Sequence, residues 1–444
     1  MRRVILAAVL AVFGGAGYAA DLPRKITKTV YPELDLAEVA VGQLLFFDPI
    51  LSGNKNISCA TCHQPELGTT DAMSLSFGEG AIGIGPARGT RAKNRPPSRL
   101  SRNTPSLFNI GARDYDKMFA DGRVHRDLTA AYGMRLPDGL SLTRPVDNVL
   151  AAQALLPLIT VAEMAGHPGE NPVADAVERD DAEAAWSIIS QRVDAIDGYR
   201  HRFREIIGDR ALHVTDIANA ISAYVAFEFR SYQSLFDTHL DDATGLSGLA
   251  MVGRDLFYGK AGCSGCHSGP FLTDQDFHAI AMPQIGPGTG YDTEKPYRDL
   301  GRMEATGDPD DAYKFKTPSL RNVGLTAPYG HSGAFASLED IIRHHLDPVN
   351  SLMAYDRAQV ALQDIARIGA DDWQAMDDPD ELAAIANANE LAPVSLPDHH
   401  VTALVEFLRH LTDPINITGR LGGVDRVPSG LAVDRLEKPG GRLF

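Results

Sequence analysis

The sequence predicts a mainly α fold made of two tandem modules with long irregular loops. Apolar residues recur at helical spacing in several stretches, and no stretch alternates long enough to predict a large sheet. The chain also repeats one design. The stretches 36–47 and 248–258 end in Leu-Phe-Phe and Leu-Phe-Tyr, and each leads through a glycine-bearing link into a Cys-x-x-Cys-His run. Two related modules in tandem account for this repetition.

Helices are predicted where apolar residues recur at a spacing of about 3.6 residues. Glycine- and proline-rich sequence at 77–105 and 283–328 predicts irregular loops instead, and the sequence after Pro414 predicts an extended tail. The predicted helices span 36–47, 182–193, 216–236, 248–258 and 398–411.

The predicted organisation begins with a signal peptide at residues 1–20. Two arginines precede an apolar stretch from Val4 to Phe13, and small residues follow up to Ala20. We expect cleavage after Ala19 or Ala20 and a periplasmic mature protein without a membrane span; an uncleaved anchor is the alternative. The two modules are predicted at 21–235 and 236–414, and the tail at 415–444.

The chain is acidic, with a formal net charge of −16. Nucleic acids and anionic membrane surfaces are bound by basic faces, so the charge argues against both. A soluble partner with a basic contact patch is favoured.

All four cysteines lie in the two Cys-x-x-Cys-His runs. In this motif both thiols attach covalently to haem, and the adjacent histidine binds the iron as proximal ligand. A zinc site would bring paired motifs together without a histidine after each, and a thioredoxin-like redox pair needs no such histidine. The sequence therefore predicts two cytochrome c-like haem domains. The haem-binding residues are Cys59, Cys62 and His63 for the first haem, and Cys263, Cys266 and His267 for the second.

Further motifs occur in the order found in a known family. They are Arg-Asn-Thr-Pro-Ser-Leu at 102–107, Asp-Gly-Arg at 121–123, Gln153-Ala with Glu163-Met, Ser-Gly-Pro at 268–270, Phe-Lys-Thr-Pro-Ser-Leu-Arg-Asn-Val at 315–323 and Ala-Pro-Tyr-Gly-His-Ser-Gly at 327–333. From Asp35 to Pro414 the chain thereby resembles the bacterial di-haem cytochrome c peroxidase family, which includes MauG-like members. The resemblance implies an enzyme whose N-terminal haem reacts with peroxide and whose C-terminal haem relays electrons, with a calcium ion between them.

The resemblance assigns Gln153, Pro157 and Glu163 to the pocket beside the first haem. A carboxylate there makes chemical sense, because cleavage of the O–O bond requires a proton to leave one oxygen and arrive on the other. By the same resemblance, Asn103 and the backbone carbonyls of Lys316 and Pro318 would bind calcium, which prefers oxygen ligands.

One departure from the family concerns the first haem. Many members cap its iron with a histidine in the loop after the first motif, but the matching position here is Glu79, and no histidine occurs between His63 and His125. We expect an open or water-bound sixth position, as in MauG-like members. A capping histidine from elsewhere, such as His125 or His167, is the alternative.

A second departure concerns the second haem, whose sixth ligand is methionine in the peroxidases and tyrosine in MauG. The matching residue here is His345. Helical spacing places it on the face of Ile341 and Ile342, with His344 toward the edge. We therefore expect a bis-histidine second haem, with ligation by Met353 as the alternative.

A third departure is the absence of the family's tryptophan between the haems. Ala120 stands at its position, preceded by Phe119, so electrons would have to tunnel or use another aromatic residue such as Tyr115.

The resemblance implies a periplasmic peroxidase that reduces hydrogen peroxide to water with electrons from a small cytochrome c or a cupredoxin. A MauG-like enzyme that oxidises amino-acid side chains of a partner protein is the second hypothesis. A pure electron carrier is the third, and it gives Gln153 and Glu163 no role.

Overall fold

The computed structural model describes residues 21–90, 96–363 and 372–436, so the predicted signal peptide at 1–20 lies outside the described residues. The structure is mainly helical with three small antiparallel sheets, which confirms the predicted fold class. Among the described residues, no helix has both the length and the apolar character needed to cross a membrane.

The elements of the N-terminal half surround the first Cys-x-x-Cys-His motif. Its α-helices are α1 (Leu36–Phe47), α2 (Cys59–Cys62), α3 (Val149–Ala154), α4 (Pro172–Glu178), α5 (Ala182–Asp194), α6 (Asp197–Ile207) and α7 (Val214–Glu228). Its strands are β1 (Ala81–Ile82), β2 (Gly89–Thr90), β3 (Lys117–Met118), β4 (Val124–Arg126) and β5 (Met134–Arg135), paired as β1-β2 and β3-β4-β5.

The C-terminal half has fewer long helices and more turns. Its α-helices are α8 (Leu235–Asp242), α9 (Leu249–Phe257), α10 (Met303–Thr306), α11 (Leu338–Leu346), α12 (Pro348–Met353), α13 (Gln374–Asp377), α14 (Pro379–Ala388), α15 (Asp398–Arg409) and α16 (Ile415–Thr418). Its two strands, β6 (Phe277–His278) and β7 (Phe315–Lys316), form one antiparallel pair.

Each half is built on two helices that cross closely at a glycine. A Cβ at Gly42 of α1 would lie 1.8 Å from the carbonyl oxygen of Ala220 on α7, and one at Gly253 of α9 would lie 1.9 Å from that of Ala403 on α15. Only glycine permits this approach, because any side chain would overlap backbone atoms. The predicted repeat therefore extends from sequence into packing.

The Thr-Pro-Ser-Leu segments at 104–107 and 317–320 belong to the same repeat. Each is followed by an asparagine with positive φ, Asn109 at 65° and Asn322 at 62°. The amide nitrogen of Asn109 donates to Phe229 after α7, and that of Asn322 donates to Leu411 after α15. Asparagine tolerates this left-handed backbone better than most residues, so it suits the turn in both halves.

The prediction of one continuous helix over 216–236 is wrong after residue 228. The structure ends α7 at Glu228 and starts α8 at Leu235. The amide nitrogens of Tyr232 and Gln233 both donate, at 2.9 Å, to one oxygen of Asp413. The Ser234 hydroxyl then caps α8 by accepting from the amide of Asp237 at 3.2 Å. Side chains thus bind the backbone amides that would continue the helix, and one of them, Asp413, is distant in sequence. The periodicity of a local segment does not detect such a partner.

The main apolar core lies in the N-terminal half. It includes Phe46 of α1 and Tyr224 of α7, whose ring centroids are 5.1 Å apart. A second core forms around Phe257 of α9 and Phe407 of α15, at 5.3 Å. These two cores fix the helices from which the haem motifs extend.

Candidate functional site: two haem-binding motifs

The first motif forms the short helix α2, which is capped by its own sequence. Ser58 precedes it, and the Ser58 amide donates to the Thr61 hydroxyl at 2.9 Å. This reciprocal cap holds Cys59 and Cys62 on one turn, and His63 follows directly.

His63 has the environment of a metal-ligating histidine. Its Nδ1 lies 3.0 Å from the carbonyl oxygen of Thr69, which is the partner of an Nδ1–H donor. Since a hydrogen bond at Nδ1 fixes the ring and its tautomer, Nε2 is left as the ligand atom. Burial lowers the pKa of His63, so the neutral form that binds metal is favoured.

The second motif repeats this arrangement. Nδ1 of His267 lies 3.2 Å from the carbonyl oxygen of Leu272, and burial lowers the pKa of His267 to about 4, with His345 adding to the effect. In both motifs a second carbonyl also acts on the histidine, that of Pro105 on His63 and that of Pro318 on His267. The residues therefore fit two haems, and the matching prolines come from the repeated Thr-Pro-Ser-Leu segments.

A second imidazole faces His267. The ring centroids of His267 and His345 are 6.3 Å apart. Two imidazoles bonded to opposite sides of one metal, each at about 2.0–2.1 Å, have centroids roughly 6.3 Å apart. His345 also places its Nδ1 2.8 Å from the carbonyl oxygen of Ile341, which leaves Nε2 as its ligand atom. The separation of the two rings therefore fits a haem that would be held by His267 and His345 together.

The other residues considered for the second iron are placed differently. Met353 is 55% exposed on α12, so its thioether faces solvent. The prediction that His344 lies toward the edge is wrong, because the side chain is fully buried against Phe335. Its Nε2 lies 2.8 Å from the carbonyl oxygen of Ile280 and its Nδ1 3.1 Å from the Ser351 hydroxyl, so both ring nitrogens have protein partners.

Glu163 lies beside the first motif. It is part of a single π-turn, Val161–Ala165, in which the amides of Glu163, Met164 and Ala165 all donate to the carbonyl of Thr160. Such turns are rare in proteins, and those that occur are often found at functional sites. Burial raises the pKa of Glu163, and the charge of Glu163 helps to raise the pKa of the Cys62 thiol before haem attachment. Burial is the largest cause of the raised Cys62 pKa, and the charge of Glu163 adds to it.

Gln153 and Pro157 lie shortly before that turn. Gln153 is near the end of α3, Pro157 starts the following 3-10 turn at Pro157–Ile159, and both are half-buried. The three predicted pocket residues lie in one short stretch of the chain, 153–163, and among the causes of the raised Cys62 pKa, after burial, is the charge of Glu163.

Arg123 is a site residue that the sequence interpretation missed. Its positive charge opposes the effect of burial on Glu163 and lowers that residue's pKa. The guanidinium stacks on the Phe119 ring at 3.6 Å and donates to Asp121 at 2.7 Å. The Asp-Gly-Arg motif contained the signal, since an arginine near a pocket carboxylate is a natural counter-charge.

Glu79, at the position of the family's capping histidine, belongs to a buried network. Its Oε1 accepts from the side-chain amides of Asn54 at 3.1 Å and Asn56 at 2.7 Å. The Glu79 amide donates to the carbonyl of Ala162 at 2.9 Å, so this loop packs directly on the turn that carries Glu163. The alternative capping residue His125 places its Nδ1 3.1 Å from the carbonyl oxygen of Gly122.

The predicted calcium ligands make separate contacts. Asn103 donates its side-chain amide to the carbonyls of Met73 at 2.7 Å and Ser74 at 3.1 Å. The Lys316 amide donates to the carbonyl of Ala120 at 2.7 Å, and the half-buried Lys316 ammonium donates to the carbonyl of Lys117 at 2.7 Å. The carbonyl of Pro318 acts on His267. Among the described residues, the contacts of Asn103, Lys316 and Pro318 therefore go to different partners.

The family and its relatives follow from comparison with known proteins. A family model described as di-haem cytochrome c peroxidase matches residues 36–245. The methylamine utilization protein MauG of Methylorubrum extorquens is 30% identical over 336 residues, which cover 73% of this chain and 72% of that protein. The chain belongs to the di-haem cytochrome c peroxidase family. It is therefore a haem oxidoreductase of the cytochrome c peroxidase type, with two c-type haems.

Other members of the family are similar over comparable lengths. The cytochrome c551 peroxidase of Nitrosomonas europaea is 30% identical over 339 residues, covering 75% of this chain and 79% of that protein. A crystal structure of a MauG-like protein associated with microbial copper homeostasis superposes with a TM-score of 0.56 at 25% identity, over 89% of this chain and 94% of that one. The diheme peroxidase BthA from Burkholderia thailandensis shares the fold at a TM-score of 0.55 and 22% identity, over 93% and 95% of the two chains.

Proposed function

We propose that the protein reduces hydrogen peroxide to water at the first haem, with electrons that enter at the second haem from a small cytochrome c or a cupredoxin. The inequality of the two sites carries the proposal. The ring centroids of His267 and His345 are 6.3 Å apart, the separation of two ligands on one metal, whereas the half-buried Glu163 acts by its charge on Cys62 in the motif of His63. A catalyst needs an open position and an acid–base group, and a relay needs neither.

Haem supplies, when bound, the redox-active iron at which the O–O bond is reduced, and each peroxide consumes two electrons and two protons to give two waters. Glu163 accepts the proton from one peroxide oxygen and returns it to the oxygen that leaves as water. Burial raises the pKa of this carboxyl group toward working pH, which suits a group that must both take and give a proton. Arg123 limits the rise, so that the ionised form remains accessible.

Gln153 and Pro157 have supporting roles in the proposal. The side-chain amide of Gln153 orients peroxide or water by hydrogen bonding, and Pro157 gives the pocket wall a fixed shape. His63 is held by the carbonyl of Thr69 at 3.0 Å, so its ring stays oriented during turnover.

Electrons pass between the two units without a tryptophan at position 120. Tyr115 of the N-terminal unit contacts Phe271, which follows the second motif, with ring centroids 5.4 Å apart. We propose that this contact, rather than Ala120, marks the shortest aromatic connection between units 21–235 and 236–414.

Calcium and export are further parts of the proposal. Calcium rests on the resemblance alone, because Asn103, Lys316 and Pro318 make separate contacts. Calcium titration of the chelator-treated holoprotein, followed by calorimetry, measures it directly. Periplasmic export rests on residues 1–20, and N-terminal sequencing of the mature protein should begin at Ala20 or Asp21.

A MauG-like role is the second candidate, because the second iron is assigned His345 rather than methionine and no capping histidine is assigned to the first. Two assays of the holoprotein separate the candidates. Catalytic peroxide consumption with a reduced mono-haem cytochrome c or cupredoxin supports the peroxidase. If peroxide is consumed only in the presence of a partner protein that becomes oxidised at a side chain, the peroxidase proposal is wrong and the second candidate is correct.

A further inference from the structure

The C-terminal tail, predicted to be extended, crosses the N-terminal unit rather than the unit it leaves. We define the strap as residues 419–436, the described part of the tail after α16. We define the attachment edge of a haem as the side that is bonded to the two cysteines of its motif. We propose that the strap covers the attachment edge of the first haem, so that a donor protein reaches only the second haem. The proposal rests on the proposed function, since it concerns the route of the donor's electrons.

The strap is anchored first at the end of α7. The carboxylate of Glu228 is buried and accepts three backbone amides of the strap, from Arg420 at 2.9 Å, Leu421 at 2.8 Å and Gly422 at 3.2 Å. The Arg420 guanidinium donates to the backbone carbonyl of Glu228 at 2.8 Å. Among the described residues, this carboxylate accepts hydrogen bonds only from strap amides, so its oxygens would be left unpaired without the strap.

The middle of the strap is anchored on α1 and the core. The Ser429 hydroxyl donates at 2.6 Å to Asp48, a fully buried residue that also accepts the Tyr199 hydroxyl at 2.6 Å. Val427 is buried within the main core, and Leu431 and Val433 pack against it. The strap is therefore integrated into the N-terminal unit along its length.

The end of the strap reaches the haem motif itself. The hydroxyl of Thr61, which lies between the two haem-attaching cysteines, donates to Asp434 at 2.7 Å. The same hydroxyl accepts the Ser58 amide at 2.9 Å, so Asp434 completes the cap of α2. Ala60 and Thr61 are both 0% exposed.

Among the described residues, none covers the second motif in this way. Gly265, which corresponds to Thr61, is exposed, and a Cβ at Gly262, Gly265 or Gly269 would meet no atom within 4 Å. The two attachment edges therefore differ in access. An approaching donor meets an open edge at the second motif and the strap at the first. When the donor reacts, its iron loses one electron and a haem iron gains that electron.

The first test measures the cover directly by amide hydrogen exchange of the holoprotein. Asp434→Ala and a chain ended after Gly423, which keeps the Glu228 anchor, should each speed exchange at residues 58–63 by about tenfold or more. Exchange at 263–267 should stay unchanged in both variants. Asp425→Asn is the matched control, because this strap carboxylate is 91% exposed and pairs only with Arg435 among its recorded contacts. Unchanged exchange at 58–63 in both variants would overturn the proposal.

The second test measures access by stopped-flow spectroscopy with a reduced mono-haem cytochrome c. In the intact protein, reduction of the first haem should become independent of donor concentration, because it waits for transfer from the second haem. In the truncated chain it should rise with donor concentration, whereas the second haem reduces as before. Equal donor dependence in both proteins would contradict the strap's role. If the peroxidase proposal is wrong, the intact protein will show no catalytic peroxide turnover with this donor. Both tests of the strap can still be interpreted in that case, because neither measures peroxide turnover.

Discussion

At the scale of single residues, Glu163 is the group on which the proposed chemistry depends. Glu163→Gln keeps the volume and removes the proton acceptor, so peroxide turnover should fall by roughly 10²–10⁴-fold. Steady-state peroxide consumption with a mono-haem donor measures this. Glu178→Gln, an exposed glutamate on α4, is the control and should leave turnover unchanged. Full turnover in Glu163→Gln would exclude it as the proton shuttle.

Arg123 should set the pH dependence of that step. Burial raises the pKa of Glu163 and the charge of Arg123 lowers it, so Arg123→Leu removes only the lowering contribution. The ionised carboxylate would then form at higher pH, and the limb where turnover increases with pH should shift to higher pH. Arg126→Leu, at an exposed position of β4, should leave the pH profile in place. A shift toward lower pH in Arg123→Leu would contradict the assigned electrostatics.

His345 and His344 form a matched pair on one helix. His345→Ala should convert the second haem from low spin to high spin, because it removes a ligand that faces His267. His344→Ala removes hydrogen bonds to Ile280 and Ser351, so it should lower stability and leave the ligation unchanged. Visible spectroscopy and magnetic circular dichroism distinguish the outcomes. The reverse pattern would make His344 the ligand.

His345 as a ligand stays a prediction from the sequence, and the burial of its neighbour His344 was not predicted. The position of His345 follows from motif order, and the structure places it opposite His267. His344 was predicted at the edge because helical phase was counted only from the face of Ile341 and Ile342. Its burial depends on the carbonyl of Ile280 and on Ser351, and Ile280 lies 64 residues away in sequence.

At the scale of elements, the paired glycine crossings define each haem unit. Gly42→Ala and Gly253→Ala should each destabilise the protein by about 3 kcal/mol or more, since a Cβ at either position would overlap a backbone oxygen. Denaturant unfolding of the holoprotein measures the loss. Gly423→Ala, where a Cβ meets no atom within 4 Å, is the control. Equal stability of all three variants would show that the crossings adjust freely.

Three helices with helical apolar spacing were predicted well from sequence, and two of them, α1 and α5, begin at a local aspartate cap. Helix α1 matches its predicted range, and α5 and α9 match theirs to within a residue at each end. The break between α7 and α8 was missed, because it is stabilised by Asp413 from the far end of the chain. Period and capping describe a segment alone, so they do not include such distant partners.

At the scale of the whole molecule, the two halves share one arrangement of helices around a haem motif. They differ in the residues that lie around each motif. The glycine crossings, the Thr-Pro-Ser-Leu segments and the histidine–carbonyl contacts occur in both halves. His345 and the strap each belong to one haem only. The repeat was visible in sequence because both halves place a similar Leu-Phe-aromatic ending before a Cys-x-x-Cys-His run. The strap was predicted only as an extended tail, since the positions that receive it, such as Asp48 and Glu228, carry no sequence signal for that partner.

The inequality of the two haems is the central claim, and the spin states of the fully oxidised holoprotein test it most directly. Electron paramagnetic resonance of the wild-type protein should give one high-spin ferric signal from the first haem and one low-spin signal from the bis-histidine second haem. His345→Ala should remove the low-spin signal and keep the high-spin signal of the first haem. Two low-spin signals in the oxidised wild-type protein would contradict the open first site, and two high-spin signals would contradict ligation by His345.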